Sequence, residues 1–236
     1  MHSSTASSAQ AGPFVVSKQC IDLGLRAGAI VLRGVTIEDA CPELRAEIAR
    51  EIQAIHSRSD RVAELRATPG MRALYEVFRR VGVKPRRQPP SVQRLFQYAL
   101  RRGDLPAINN LVDAYNLMSI RTKFSMGAHD LDRITLPVAL RLFRGEESFT
   151  PLGTHEATKI SPGEFGYVDA QHRVLCRLDV LQAEFSKVTA DTDNVLLIIE
   201  GTIAHDRETF KKVFDETITM VQRYCGGEAE VVVLPD

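Results

Sequence analysis

NNLVDAYNLMSI (109–120) is followed by a string of short apolar runs, and that change of texture decides the fold. The twelve-residue stretch reads as a helix. After it come VALRLF (138–143), FGYVDA (165–170), RVLCRL (173–178) and NVLLIIEG (194–201), each short, apolar and bounded by Gly, Pro, Asp or Thr turns, as strands are. Upstream, AIVLRGV (29–35) is a further strand, preceded by the apolar segment Phe14 to Val16. PELRAEIAREIQAIHSR (42–58) places Leu44, Ile48, Ile52 and Ile55 on one helical face. MRALYEVFRRVGV (71–83) repeats the pattern with Leu74, Val77, Phe78 and Val81. Ser91 stands as N-cap of a third helix carrying Val92, Leu95, Phe96 and Ala99. Downstream, Asp206 caps a long helix with Phe210, Val213, Phe214, Thr217 and Val221 inward, and EVVVL (230–234) closes with a strand. The pattern predicts one mixed α/β (α+β) domain with a sheet-rich centre flanked by helices. Residues 1–12 are expected to form a disordered tail and 13–82 a helical and strand part packed on the core, with 83–236 the main module.

The 236 residues carry 30 basic and 30 acidic side chains, so no global charge points to nucleic acid or membrane. The balance is local: from Met71 to Gly103 nine Arg and Lys face a single acid, Glu76, and such a one-sign stretch suits a phosphate-bearing partner. The four cysteines are widely spaced with no CxxC, which fits a reducing cytosol. No apolar run approaches membrane-spanning length, and the N-terminus lacks a signal-peptide core.

GxGxxG after a strand, GxxxxGK[ST], GxSxG and HExxH are all absent. Among six histidines, His2 sits in the tail, and His56, His155 and His172 are expected on the surface. The dipeptide HD occurs at 129–130 and 205–206, each time after Ala. A metal phosphohydrolase would use such a pair but needs further ligands at suitable spacing, so a hydrogen-bonded polar turn is the plainer reading of GAHDLDRI (127–134).

The order of motifs carries more than any one of them. LPAINNLVDAYNLMSI, GAHDLDRI, RGEESFTPLG, GEFGYVDAQHRVLCR and KVTADTDNVLLIIEG together resemble the B3/B4 editing region of bacterial phenylalanyl-tRNA synthetase beta subunits, over about residues 83–202. The chain also resembles freestanding B3/B4 proteins. Nothing in it resembles the synthetase's catalytic motifs. The resemblance implies a trans-acting aminoacyl-tRNA deacylase of the cytoplasm: an editing hydrolase that removes what an apolar synthetase pocket fails to reject. The ester would be cleaved by an oriented water, without cofactor, metal or covalent nucleophile. Aminoacylated tRNA is the implied partner, with an aminoacyl-tRNA synthetase as a second.

The resemblance also assigns residues. Asn116 matches the asparagine of the family's first helix and would hold substrate. Glu200 corresponds to the glutamate on the strand after the TADTDN stretch, two places later, which keeps it on the same face. The family's editing histidine lies three positions before the first aspartate of the turn. That position is Gly127 here, and the histidine stands at His129. His129 or Glu200 is the base or water-orienting group, and His129 leads because its intrinsic pKa suits proton transfer near neutrality. Asp130 and Asp132 are further substrate candidates, with bracing of their turn as the plainer role. Arg79, Arg80, Lys84, Arg86 and Arg87 are expected to contact the tRNA backbone. A non-catalytic module binding tRNA, other RNA or an amino acid is the alternative, favoured by Gly127.

Overall fold

NVLLIIEG is apolar at every step because its strand lies at the centre of the molecule. The structure, a computed structural model, describes residues 12–57 and 61–235. The expected tail lies outside the described residues except for Gly12, as does Arg58 at the end of the first expected helix. The central strand is β8 (Asn194–Thr202). It is flanked by β2 (Leu25–Arg33) and β3 (Ser125–Asp130), and β9 (Glu228–Val233) adds to β2, giving a four-stranded antiparallel sheet in the order β3-β8-β2-β9.

Successive residues of β8 serve two cores. Val195, Leu197 and Ile199 face a helical layer, and Leu196 and Ile198 face a second sheet. The helical layer comprises α2 (Pro42–His56), α5 (Ser91–Arg102), α6 (Asn110–Thr122) and α7 (Arg207–Cys225). Leu44, Ile48, Ile52 and Ile55 of α2 are buried, as their spacing requires, and so are Phe210, Val213, Phe214, Thr217 and Val221 of α7. The second sheet is β1 (Phe14–Val16), β4 (Val138–Leu142), β5 (Phe165–Val168), β6 (Val174–Arg177) and β7 (Leu181–Gln182), in the order β1-β4-β5-β6-β7. Helix α4 (Pro69–Arg80) inserts Leu74, Val77 and Phe78 beside it. Two short helices, α1 (Lys18–Leu23) and α3 (Arg61–Ala67), have no counterpart in the sequence pattern.

Asn109 caps α6 by accepting from the Val112 amide at 2.9 Å. Asn110, next in the chain, accepts from the Glu38 amide and donates to the carbonyls of Thr36 and Tyr224, tying three segments together. Asp113 accepts from the Ile108 amide at 3.0 Å and pairs with Arg45 of α2.

Two local expectations are corrected. Ser91 is not the N-cap of α5. The helix starts at Ser91 itself, behind Pro90, and its first amide is satisfied by a carboxylate from far along the chain. GAHD is not a turn but the end of β3, pairing residue by residue with β8 (Gly127 with Ile198, His129 with Leu196); the turn proper is a 3-10 helix over Leu131–Arg133. Cross-strand pairing of this kind has no local signature. Among the described residues, no helix is long and apolar enough to cross a membrane.

Candidate active site

Strand β3 is an edge strand, and the alternation of its side chains sorts the GAHD stretch. Ser125, Gly127 and His129 share one face, and Ser125 sits opposite Glu200 across the ladder. That face looks into a cavity of about 130 Å3 where the edge of the central sheet meets α6, the start of α5 and the β6–β7 hairpin. Asn116, Gly127, His129 and Glu200 all line it. A β-carbon added at Gly127 would meet nothing within 4 Å, so glycine at this position leaves open space. The Asn116 side chain is half-buried at the rim and, among the described residues, makes no hydrogen bond.

The floor is acidic. Glu200 is 4% exposed; the Tyr167 hydroxyl donates to its Oε2, while its Oε1 is buried without a partner. Asp179, on the β6–β7 hairpin, accepts through Oδ2 from the Ser91 amide (3.1 Å), the Ser91 hydroxyl (3.2 Å) and the Ser125 hydroxyl (2.6 Å). Its Oδ1 is enclosed and unpartnered, although the residue as a whole keeps some exposed surface. Burial pushes the Glu200 carboxyl well above the carboxylate range, and the neighbouring Asp179 charge pushes the same way. Burial also raises Asp179, against the pull of its Ser125 and Ser91 hydrogen bonds. Two enclosed acids that repel each other's charge do not both ionise readily.

His129 is 2% exposed, with Nδ1 3.0 Å from the Ser186 hydroxyl. Burial with no compensating carboxylate brings its pKa down to about 3. The expectation that His129 titrates near neutrality is therefore corrected: the ring is neutral at physiological pH, a hydrogen-bonding group rather than a strong base. Its neighbour Asp130 points to the opposite face, so the HD pair does not converge on one point. The second HD pair is structural, His205 accepting from the Thr202 amide at 3.1 Å and Asp206 capping α7. Among the described residues, no three His, Cys, Asp or Glu side chains group as metal ligands.

Asp130 and Asp132 do not line the cavity. Asp130 accepts from the Asp132 amide (3.0 Å) and the Thr192 hydroxyl (2.7 Å) and pairs with Arg133; Asp132 accepts from the Asn194 amide group at 3.0 Å. The DLD turn and the TADTDN stretch thus knot to each other, away from the cavity.

At Ser91, Asn116, Met126 and Val180 the cavity adjoins a wider vestibule of about 430 Å3. Arg94, Tyr98 and Arg101 of α5 line the vestibule. Their spacing of four and three, which puts them on one helical face, was the signal in the sequence that could have marked them. Asp179, Ser125 and Tyr167 carried no such signal. Of the expected backbone-binding residues, Arg79, Lys84, Arg86 and Arg87 line a separate groove of about 840 Å3 with Arg66 and Tyr75. Arg80 does not line it and donates to the Leu23 carbonyl at the end of α1.

The B3/4 domain family matches residues 73–226. The chain is similar to the phenylalanine–tRNA ligase beta subunit of Shewanella oneidensis, 29% identical over 160 residues. That match covers 58% of this chain and 20% of the subunit, so the chain spans about a fifth of that relative. Among solved structures it is similar to an N-terminal fragment of the phenylalanyl-tRNA synthetase beta subunit from Pyrococcus horikoshii, with a TM-score of 0.48 and 14% identity over 92% of this chain and 49% of that one.

Proposed function

Because this chain belongs to the B3/4 domain family, we propose that it is an aminoacyl-tRNA deacylase acting in trans on the ester of a mischarged tRNA. The observation that carries the reading is the convergence of Asn116, Gly127, His129 and Glu200 on one cavity whose outer vestibule is cationic. The aminoacyl group enters the inner cavity, and the terminal nucleotide stays in the vestibule, its phosphates near Arg94 and Arg101 and a base within reach of Tyr98. The ester then lies at the rim beside Asn116, whose free amide is able to hold the carbonyl or the α-amine.

Water attacks the carbonyl carbon, the bond from that carbon to the ribose oxygen breaks, and a proton from the water goes to the ribose oxygen. Neutral His129 orients the water as a hydrogen-bonding partner. Glu200, at the enclosed floor, reads the amino-acid side chain and is not the base. An activated ester in an enclosed site needs orientation and charge stabilisation more than a strong base. The groove of Arg79, Lys84, Arg86 and Arg87 holds the tRNA backbone, and an aminoacyl-tRNA synthetase is the second partner. The setting is the cytoplasm, where charged tRNA is found.

The deciding experiment is deacylation of a panel of mischarged tRNAs by wild type, Asn116→Ala and His129→Ala. Turnover of at least one tRNA that collapses in the variants supports the reading, and turnover of none sinks it. The open space at Gly127 and the feeble basicity of His129 favour a second reading, a module that binds charged tRNA without hydrolysing it. Tight binding with no turnover across the panel would select that one.

A further inference from the structure

The floor of the inner cavity holds two acceptors with nothing to accept from. Glu200 Oε1 and Asp179 Oδ1 are enclosed and unpartnered, on two acids adjoining the same serine: Ser125 bonds Asp179 and pairs with Glu200 across the ladder. Among the described residues no Lys or Arg lines the cavity, so none of them brings a cation to this floor. Buried acceptors of this kind are normally satisfied, and an exception calls for a missing partner.

Resting on the reading of this cavity as the aminoacyl site, we propose that it receives an amino-acid side chain ending in a primary ammonium, whose N–H groups donate to Glu200 Oε1 and Asp179 Oδ1. An ammonium carries three donors and no acceptor, so one group serves both oxygens, and its charge cancels the repulsion between the acids. A hydroxyl has one donor and leaves one oxygen unmet. An apolar side chain leaves both unmet and sealed from water. The Tyr167 hydroxyl already donates to Glu200 Oε2, so the oxygen of this acid left without a donor is Oε1. Size restricts the ligand further: a cavity of about 130 Å3 is slightly smaller than the roughly 150 Å3 that holds a benzene, so the side chain is short. Met126 and Ile198 flank its methylene stem.

The test uses two side chains of equal length, –CH2CH2NH3+ and –CH2CH2CH3. L-2,4-diaminobutyramide and L-norvalinamide, whose amides resist hydrolysis, are titrated calorimetrically into the full chain. The amine is expected to bind roughly tenfold to a hundredfold tighter, the worth of satisfying one or two enclosed acceptors. Glu200→Gln and Asp179→Asn, checked for folding by thermal melting, are expected to shrink that preference. The wild-type comparison stands alone should either variant fail to fold. Equal affinity, tighter binding of the norvaline amide, or no binding of either overturns the proposal. Deacylation of tRNA charged with an apolar amino acid, proceeding alongside any of those results, leaves the hydrolase reading intact and removes only the amine preference.

Discussion

The two ends of the β3–β8 ladder are made of similar residues and behave oppositely. At the Asp130 end, Asp130, Asp132, Thr192 and Asn194 bond one another, and the carboxyls are consumed as acceptors. At the Ser125 end, Glu200 and Asp179 are enclosed with one oxygen each left over, and Asn116 makes no hydrogen bond among the described residues. A polar cluster that satisfies itself is architecture. A polar cluster sealed yet unsatisfied costs stability, and that deficit is what a ligand relieves. Acidity and motif membership do not separate the two ends; hydrogen-bond accounting does.

The largest effect expected concerns His129, next to the Asp130 end of the strand but on the cavity face. Its folded pKa of about 3 lies below the unfolded value near 6.5, so its contribution to stability is present above pH 6.5 and is lost as pH falls from 6.5 towards 3. At about 1.4 kcal/mol per pKa unit this reaches ~5 kcal/mol. Chemical denaturation across that range should show a loss that His129→Asn flattens, and an identical slope in the variant would refute the buried neutral ring. Next, Asp130→Ala should destabilise the protein by about 2–4 kcal/mol through the Thr192 hydroxyl and Asp132 amide it strands. A melting temperature left unchanged would erase the contrast between the two ends.

Asn116→Ala should do the reverse, lowering deacylation about a hundredfold while leaving melting nearly untouched. A stability loss without an activity loss would move Asn116 to the architectural side. Replacing Arg79, Lys84, Arg86 and Arg87 by Ala should flatten the salt dependence of tRNA affinity, each lost phosphate contact removing roughly 0.7–0.9 from the logarithmic slope. Arg80→Ala should add little, since Arg80 serves the Leu23 carbonyl. The smallest effect is Glu200→Gln. A carboxyl whose pKa is raised by folding stabilises the protein fully below about pH 4.5 and loses that contribution as pH rises through the folded value. Glutamine mimics the protonated form, so the variant should exceed wild type in stability at alkaline pH, with the gap closing towards pH 4.5.

Much of this was legible in the chain. The stripe Leu44, Ile48, Ile52 and Ile55, the Asp206 cap and the uninterrupted NVLLIIE run follow from period and propensity, and the structure uses them as written. The site was legible only through the order of motifs, which pointed to Asn116, Gly127, His129 and Glu200 but grouped Asp130 and Asp132 with them. Those two acids stand beside His129 in the chain yet turn from it in space, because neighbours on a strand face opposite ways.

By itself, the sequence determined the long helices and most of the strands, where the basic stretch lies and which family the chain resembles, because periodicity, capping and motif order are properties of neighbouring residues. Only the tertiary structure decided that Asp179 caps a helix 88 residues earlier, that His129 is too deeply buried to titrate near neutrality, and that two acids share a floor with acceptors to spare. Burial, pKa and hydrogen-bond satisfaction depend on what surrounds a group from every side, and for this cavity those surroundings come from seven elements scattered between Ser91 and Glu200.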